Sequence, residues 1–204
     1  MNLAYAKLAG NPLAGADLNG ADLTGADLTG TYLSGANLGG ANLSGANLTR
    51  AFLTGADLTG ADLTCADLTR AALKDADLSR ANLTGANLTG ANLTRTNLTR
   101  AALTDANLGR AALTDAALTD AILIGATLTD ADLTRAILTS TDLTDANLTR
   151  AGLDEVLWSE RTRWPHDMAA LMRGRSEPIG DGRYRVQGSG NSGADLSVPP
   201  LPVS

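Results

Sequence analysis

The chain has 204 residues and a formal charge of −6, and 44% of its residues are apolar although only 3% are aromatic. A core of this composition must be built from Leu and Ala rather than from large rings. The modest acidity argues against binding to nucleic acid or to an anionic membrane through bulk charge. No segment approaches the roughly 18 apolar residues of a membrane span. The N-terminus has no signal-peptide pattern, so we expect a cytoplasmic protein.

A leucine repeat dominates the first three-quarters of the chain. Leu occupies position 3 and every fifth position up to 153, and Ala stands two residues before it in 26 of the 31 repeats. Five residues advance a side chain by about 140° around an α-helix, so the leucines would spiral rather than form a stripe. In a straight strand, whose period is two, successive leucines would point to opposite faces. Neither regular element therefore fits the repeat.

A corner in every five-residue unit resolves this conflict. Four corners of about 90° close a square, so one coil takes 20 residues and stacks on the next at the strand spacing of about 4.8 Å. The leucines then point inward, Gly or a short polar residue suits the corner, and backbone bonds between coils satisfy the amides. The pattern predicts an all-β solenoid over residues 1–155, made of about 31 pentapeptides in about 7.75 coils.

The tandem motif A(D/N)LxX, seen for example in "GADLTGADLTG", resembles the repeat of the pentapeptide repeat proteins from Met1 to Leu153. The resemblance implies a right-handed quadrilateral β-helix, and the handedness comes from the family alone. Some members of that family resemble a rod of B-DNA, bind type II topoisomerases, especially gyrase, and dimerise through C-terminal elements. The resemblance therefore implies one specific class of partner besides an unidentified protein.

Residues 20 apart should stack in columns on the outside of such a solenoid. One column places Tyr32 and Phe52 in neighbouring coils, either as a small apolar contact patch or as a ladder that shields the backbone. A second column, interrupted by Gly90 and Asp130, consists mainly of arginine: Arg50, Arg70, Arg110 and Arg150. We expect it to be either a surface that binds a carboxylate or phosphate of a partner, or a solvated face offset by neighbouring Asp.

The acidic side chains are distributed unevenly. Residues 1–69 have a net charge of −4, whereas residues 70–153 have a net charge of −1. Asp17, Asp57 and Asp77 share one predicted side, and they complete the candidate partner surface. B-DNA has about one charge per 1.7 Å, which is much denser than the net charge of this solenoid. DNA mimicry would therefore require a one-sided arrangement of these carboxylates.

The composition changes after Leu153, and the open end of a β-helix needs a cap. We predict a cap over residues 156–176 with a helix from Pro165 to about Arg173, ended by Gly174. Residues 177–204 are predicted to form a flexible tail, in which "GRYRVQG" forms at most one short strand. The predicted cap residues are Val156, Leu157, Trp158, Trp164, Met168, Leu171 and Met172.

Three isoleucines occupy positions that are usually polar in the repeat: Ile122, Ile124 and Ile137. They fall in the last two predicted coils. Exposed isoleucines at this end of the solenoid should pack either against the C-terminal segment or against a second subunit. The sequence thus predicts cap contacts or a homodimer formed through the C-terminal end.

No catalytic constellation is present in the sequence. His166, the only histidine, is adjacent to Asp167 but has no nucleophile at a suitable spacing, and Cys65 has no neighbour that would activate its thiol. There is no Cys/His cluster for a metal, and we expect no cofactor. Threonine on all four sides argues against the flat array of an ice-binding protein. We therefore predict a non-enzymatic scaffold that binds a protein partner; the alternative is a DNA mimic that binds gyrase or topoisomerase.

Overall fold

The repeating unit is a short extended segment followed by a corner. The computed structural model describes residues 1–166 and 168–188. In each unit the leucine carbonyl accepts a bond from the amide three residues later, as in Ala26 N–H to Leu23 O at 3.0 Å. The fifth residue of every unit, from Tyr5 to Glu155, has a φ between 55° and 67°. A positive φ at the third of four residues is the requirement of a type II turn, so this backbone turns a corner every five residues.

Successive coils are joined by parallel backbone pairing between residues 20 apart. Leu23 N–H donates to Asn42 O at 2.7 Å, and Asn42 N–H donates to Ala21 O at 2.9 Å. The corner amide joins the same ladder, since Gly25 N–H donates to Ser44 O at 2.9 Å. Five-residue units with a 20-residue pairing interval produce a four-sided β-helix, as the leucine spacing predicts.

The core is a column of leucines lined by alanines. The repeat leucines from Leu23 to Leu143 are fully buried and Leu18 is nearly so, whereas Leu3, Leu8 and Leu13 at the open end are only partly buried. Thr31, Thr96 and Thr141 replace Ala at an inward position and are also fully buried. The hydroxyl of Thr141 donates to Leu118 O at 2.7 Å, so the buried oxygen is satisfied.

The solenoid continues beyond the predicted boundary at residue 155. Leu157 pairs with Ile137, and Arg163 pairs with Asp142 after one inserted residue. The predicted cap therefore begins with two further β-helical units rather than with a separate fold. The sequence pattern ends at Leu153 because the residues that follow at the core positions are no longer leucine.

Two tryptophans replace leucine in these last units. Trp158 and Trp164 are buried at the leucine positions, and Val156 and Thr162 are buried two residues before them. The Thr162 hydroxyl donates to Leu138 O at 2.7 Å, as the inward threonines of earlier coils do. The larger side chains thus fill the last coil of the leucine column.

One helix and a three-stranded antiparallel sheet, whose first strand belongs to the last coil, complete the fold. The elements are β1 (Leu157–Ser159), α1 (Met168–Gly174), β2 (Ser176–Gly180) and β3 (Arg183–Val186), with strand order β1-β3-β2. The helix begins at Met168, three residues later than predicted. Residues 177–186 were predicted to belong to a flexible tail, but they form most of a β-hairpin. The part of that predicted tail beyond residue 188 lies outside the described residues.

Aromatic and sulfur-containing side chains attach the sheet and helix to the solenoid. Trp158 stacks on Tyr184 with ring centroids 4.6 Å apart, and its Nε1–H donates to Ser176 Oγ at 2.9 Å. Met168 and Met172 of α1 are buried, whereas Leu171 is only partly buried. In the part of the chain that the structure describes, no helix is long and apolar enough to span a membrane.

Candidate partner-binding surface

The residue before each leucine points outward, and these residues form one column on each side of the solenoid. The aromatic face is the column Pro12, Tyr32, Phe52, Ala72, Asn92, Ala112, Asp132 and Gly152. Tyr32 and Phe52 stack with centroids 4.9 Å apart and an angle of 5° between the ring planes. They remain 51% and 43% exposed. The two rings thus stack as a ladder and keep a large surface accessible, and their role as a partner surface stays a prediction.

Most other outward residues are Asp or Asn, which bind the local backbone. Asp62 is representative: its Oδ1 accepts the amide of Thr64 at 3.0 Å and the Thr64 hydroxyl at 2.5 Å. That amide is the one donor of the unit without a backbone acceptor, since Ala61 N–H donates to Leu58 O across the corner and the other three amides donate to neighbouring coils. An aromatic side chain cannot accept such a bond, so Tyr32 and Phe52 replace a local stabilising interaction with an exposed apolar one.

The arginine column is divided into two parts. Arg150 Nε lies 2.6 Å from Asp130 Oδ1, and Arg110 Nε lies 3.9 Å from Asp130 Oδ2. The hydrogen bond from Arg150 lowers the pKa of the Asp130 carboxyl, so this part of the column is balanced internally. Within the described residues, by contrast, no carboxylate lies within 4.0 Å of the guanidinium of Arg50 or Arg70. Only these two members of the predicted column are available to an external anion.

The two available arginines border the aromatic face. Arg50 stands at the corner two residues before Phe52, and Arg70 stands at the corner two residues before Ala72. The Arg70 side chain runs toward the next coil, where its Cγ would lie 3.6 Å from a Cβ added at Gly90. A cationic edge therefore adjoins the stacked rings in a protein whose net charge is negative.

The opposite edge of the aromatic face has a regular charge ladder. Arg95 makes a bidentate pair with Asp75, at 2.7 and 2.8 Å, and Arg135 makes an equivalent pair with Asp115. The hydrogen bond from Arg95 lowers the pKa of the Asp75 carboxyl and raises that of the guanidinium. Asp75 is therefore engaged by Arg95, although Lys74 precedes it in the sequence.

The acidic face is the column Asp17, Asn37, Asp57, Asp77, Asn97, Ala117, Ile137 and Leu157. Asp57 and Asp77 occupy neighbouring coils, and each accepts the amide of the residue two positions later at 2.8 Å. Burial raises the pKa of Asp77, but hydrogen bonds from Ser79 and Asn97 outweigh it, so the pKa is lowered overall. These two carboxylates thus stabilise their own corners.

The isoleucines do not form a single patch. Ile122 and Ile124 lie on the side that contains Asp142 and are 43% and 37% exposed. Ile137 lies on the acidic face, is partly buried, and lines an open groove of about 470 Å³ together with Leu157 and Arg183. The C-terminal segment thus partly covers Ile137. A dimer contact through Ile122 and Ile124 remains a prediction.

Chemistry-bearing residues are spread out in this structure. Across residues 1–166 and 168–188, no three side chains of His, Cys, Asp or Glu are grouped in a way that could hold a metal ion. Cys65 lies exposed at a corner, and its Sγ would be 3.4 Å from a Cβ added at Gly85.

The architecture defines the class of protein: a four-sided parallel β-helix of the solenoid type, closed at one end by a small sheet and a helix. A sequence profile described as pentapeptide repeats (8 copies) matches residues 2–40, 41–80, 76–115 and 111–150. The chain belongs to the pentapeptide repeat family, whose members fold as right-handed quadrilateral β-helices. No curated protein sequence matches the chain.

Two solved structures illustrate this membership. HetL from the cyanobacterium Nostoc sp. strain PCC 7120, a pentapeptide repeat protein involved in heterocyst differentiation regulation, is 36% identical. The match covers 76% of this chain and 75% of HetL, with a TM-score of 0.58. QnrB1, a plasmid-mediated fluoroquinolone resistance protein, is 20% identical over 85% of this chain and 93% of its own, with a TM-score of 0.54. At that identity, the likeness to QnrB1 demonstrates the shared fold alone.

Proposed function

We propose that the protein is a non-enzymatic scaffold that binds a protein partner through its aromatic face. The observation that carries the proposal is the exposed Tyr32–Phe52 stack beside Arg50 and Arg70. Aromatic residues and arginine are the types enriched at the energetic centres of protein interfaces. Elsewhere on the solenoid, Asp and Asn are used in local hydrogen bonds and many arginines in ion pairs, whereas these four side chains are left to contact another molecule.

The similarity to HetL supports a regulatory binding role, since that relative is involved in the regulation of a differentiation process. A rigid solenoid suits such a role because its side chains are held at fixed intervals by the backbone ladder. Binding through a preformed surface costs little ordering entropy, so a small aromatic centre suffices for a specific contact.

Affinity capture from a lysate of the source organism tests the proposal. The full chain is compared with the double variant Tyr32→Thr/Phe52→Thr, which removes both rings but keeps side chains suited to a strand. The matched control is Asn92→Thr/Ala112→Thr on the same face. We expect a protein that is captured by the wild type and the control but lost with the ring variant. Equal capture by all three folded proteins would contradict the proposed surface.

A second candidate function is binding of DNA gyrase or topoisomerase as a DNA mimic, without direct contact to nucleic acid. Its support is the stacking of Asp57 and Asp77 in neighbouring coils, at the end of the acidic segment 1–69, whose net charge is −4. A supercoiling assay with purified gyrase, with and without a fluoroquinolone, tests it. Inhibition or protection should be reduced by Asp57→Asn/Asp77→Asn, and no effect of the wild type at micromolar concentration would exclude this candidate.

A further inference from the structure

The aromatic ladder ends abruptly in the middle of the aromatic face. Tyr32 pairs with Phe52, Phe52 pairs with Ala72, and Ala72 pairs with Asn92 in successive coils. Ala72 has only a methyl group, so the column continues without a ring on the face of Phe52 that is turned away from Tyr32, and Phe52 remains 43% exposed. We call the space above Ala72, between Phe52 and Asn92, the Ala72 gap.

The size of this gap matches one aromatic ring. Coils repeat at the strand spacing of about 4.8 Å, so a ring above Ala72 would lie about 4.8 Å from the ring of Phe52. The existing pair has a centroid separation of 4.9 Å with nearly parallel rings. Stacked rings are favourable at centroid separations of about 4.5 to 7 Å. A ring in the Ala72 gap would therefore continue a ladder whose geometry the backbone already sets.

Cationic side chains flank the gap in the same coil. Arg70 precedes Ala72 by two residues and Lys74 follows it by two. The side chain of Arg70 extends toward Gly90, which lies beside the upper boundary of the gap and has no side chain of its own. The nearest carboxylate along the chain, Asp75, is held in a bidentate pair by Arg95. The charge around the gap is thus positive, although the protein as a whole is acidic.

We infer that the Ala72 gap is the docking site for an aromatic side chain of a protein partner that has carboxylate residues next to it in sequence. The ring stacks on Phe52 as a third member of the ladder, and the adjacent carboxylates lie against Arg70 and Lys74. This inference rests on the proposed function and adds the chemistry of the segment that is recognised. Charge complementarity selects an acidic segment, and the open ring face selects an aromatic residue within it.

A defined peptide tests this inference on the full chain. The probe is acetyl-Gly-Glu-Phe-Glu-Gly-amide, and its binding is followed by amide chemical-shift changes of the isotope-labelled protein. Two control peptides replace Phe with Ala, or both Glu with Gln. We expect the probe to perturb amides around Phe52 and Ala72 and to bind more weakly as salt is added, because exposed charge pairs are screened. Each control should bind about fivefold more weakly or worse.

A variant whose side chain fills the Ala72 gap gives the most direct test of the docking site. Ala72→Phe should extend the ladder and reduce probe affinity by about tenfold or more, since its own ring takes the place of the ligand. Ala112→Phe is the matched control, because it adds a ring on the same face two coils away from Ala72, between Asn92 and Asp132. If Ala72→Phe folds poorly, Ala72→Asn replaces it, since Asn already occupies the next position of this column and should also obstruct the gap.

The outcomes separate this inference from the proposed function. Wild-type affinity of both Ala72 variants, or shifts that map away from Phe52, would overturn the docking site. If the peptide does not bind at millimolar concentration while partner capture still depends on Tyr32 and Phe52, the inference is wrong and the proposed function stands. Loss of binding with Ala72→Phe but not with Ala112→Phe supports the inference.

Discussion

The residue before each leucine determines whether a unit is stabilised locally or exposes a contact surface. At Asp62 the carboxylate accepts a hydrogen bond from the Thr64 amide, which has no backbone acceptor in the ladder between coils. This explains why Asp or Asn and then Thr or Ser flank the leucine so often, and why the carboxylates do not by themselves indicate a ligand. Ala102, Ile122 and the two rings of the aromatic face cannot form this bond. Units with a residue other than Asp or Asn at this position therefore lack the local hydrogen bond and present a different side chain on the surface.

Asp62→Ala should lower the free energy of unfolding by about 1 kcal/mol, because it removes the acceptor of a backbone amide. Asp62→Asn should leave the stability nearly unchanged, since the amide oxygen of Asn accepts the same bond, as Asn82 Oδ1 does one coil further on. Denaturation by urea at neutral pH measures both variants. Equal destabilisation by Ala and Asn would show that the charge, rather than the hydrogen bond, is what Asp62 contributes.

A variant that adds a hydrogen-bond acceptor, instead of removing one, can be made on the same side of the solenoid. Ala102 pairs with Asn82 and Ile122 in neighbouring coils. Ala102→Asn should raise the free energy of unfolding by about 0.5 to 1 kcal/mol, because it offers the Thr104 amide an acceptor. Ala102→Val is the control, since it adds volume without an acceptor. Thermal or urea denaturation of the two variants should separate them, and a larger gain with Val would point to apolar packing instead.

At the scale of elements, the five-residue spacing predicts the coil but does not predict where the solenoid ends. The period alone placed Tyr32 and Phe52 in contact, because stacking of coils follows from counting residues. It did not extend to Trp158 and Trp164, since both replace leucine and the last unit is one residue longer. A short β-hairpin such as Ser176–Val186 has too few apolar residues to stand out, and Pro178 argues against a strand. The five-residue pattern does not indicate the Ala72 gap, because the gap arises where a small side chain follows two aromatic ones.

The two tryptophans of the cap allow a matched test. Trp158 Nε1–H donates to Ser176 Oγ, whereas Trp164 Nε1 is buried without a hydrogen-bond partner among the described residues. Trp158→Phe should therefore destabilise the protein by about 1 kcal/mol more than Trp164→Phe, because only the first change breaks a hydrogen bond. Urea denaturation gives the free energies. Amide hydrogen exchange of β2 and β3 should accelerate in Trp158→Phe, and the opposite order of stability would contradict this account of the cap.

For the whole molecule, the arrangement of charge changes along the solenoid. Most corners of the first coils are Gly, whereas later corners are often Asp or Arg, which pair between neighbouring coils. This divides the solenoid into a part that keeps its acidic surface and a part whose surface charge is balanced internally. The Ala72 gap lies at the boundary between these two parts. Its position there gives it Arg70 without a paired carboxylate such as those of Arg95, Arg135 and Arg150.

The paired corners predict how the stability of the whole solenoid depends on acidity. Hydrogen bonds from Arg95, Arg135 and Arg150 lower the pKa values of the carboxyls with which they pair. A carboxyl whose pKa is lower in the folded state stabilises the fold above its ordinary pKa, and this contribution is lost as the pH falls through the folded-state value. The unfolding free energy of the wild type should therefore decrease below about pH 4.

The triple variant Asp75→Asn/Asp115→Asn/Asp130→Asn should be less stable than the wild type at pH 7 and should show a flatter dependence on pH below about pH 4. The control Asp62→Asn/Asp67→Asn/Asp145→Asn makes the same change in net charge at carboxylates that have no arginine within 4.0 Å in the described chain. Urea denaturation across the pH range measures both. A control that flattens the profile as much as the triple variant would show that total charge, rather than pairing at the corners, governs acid stability.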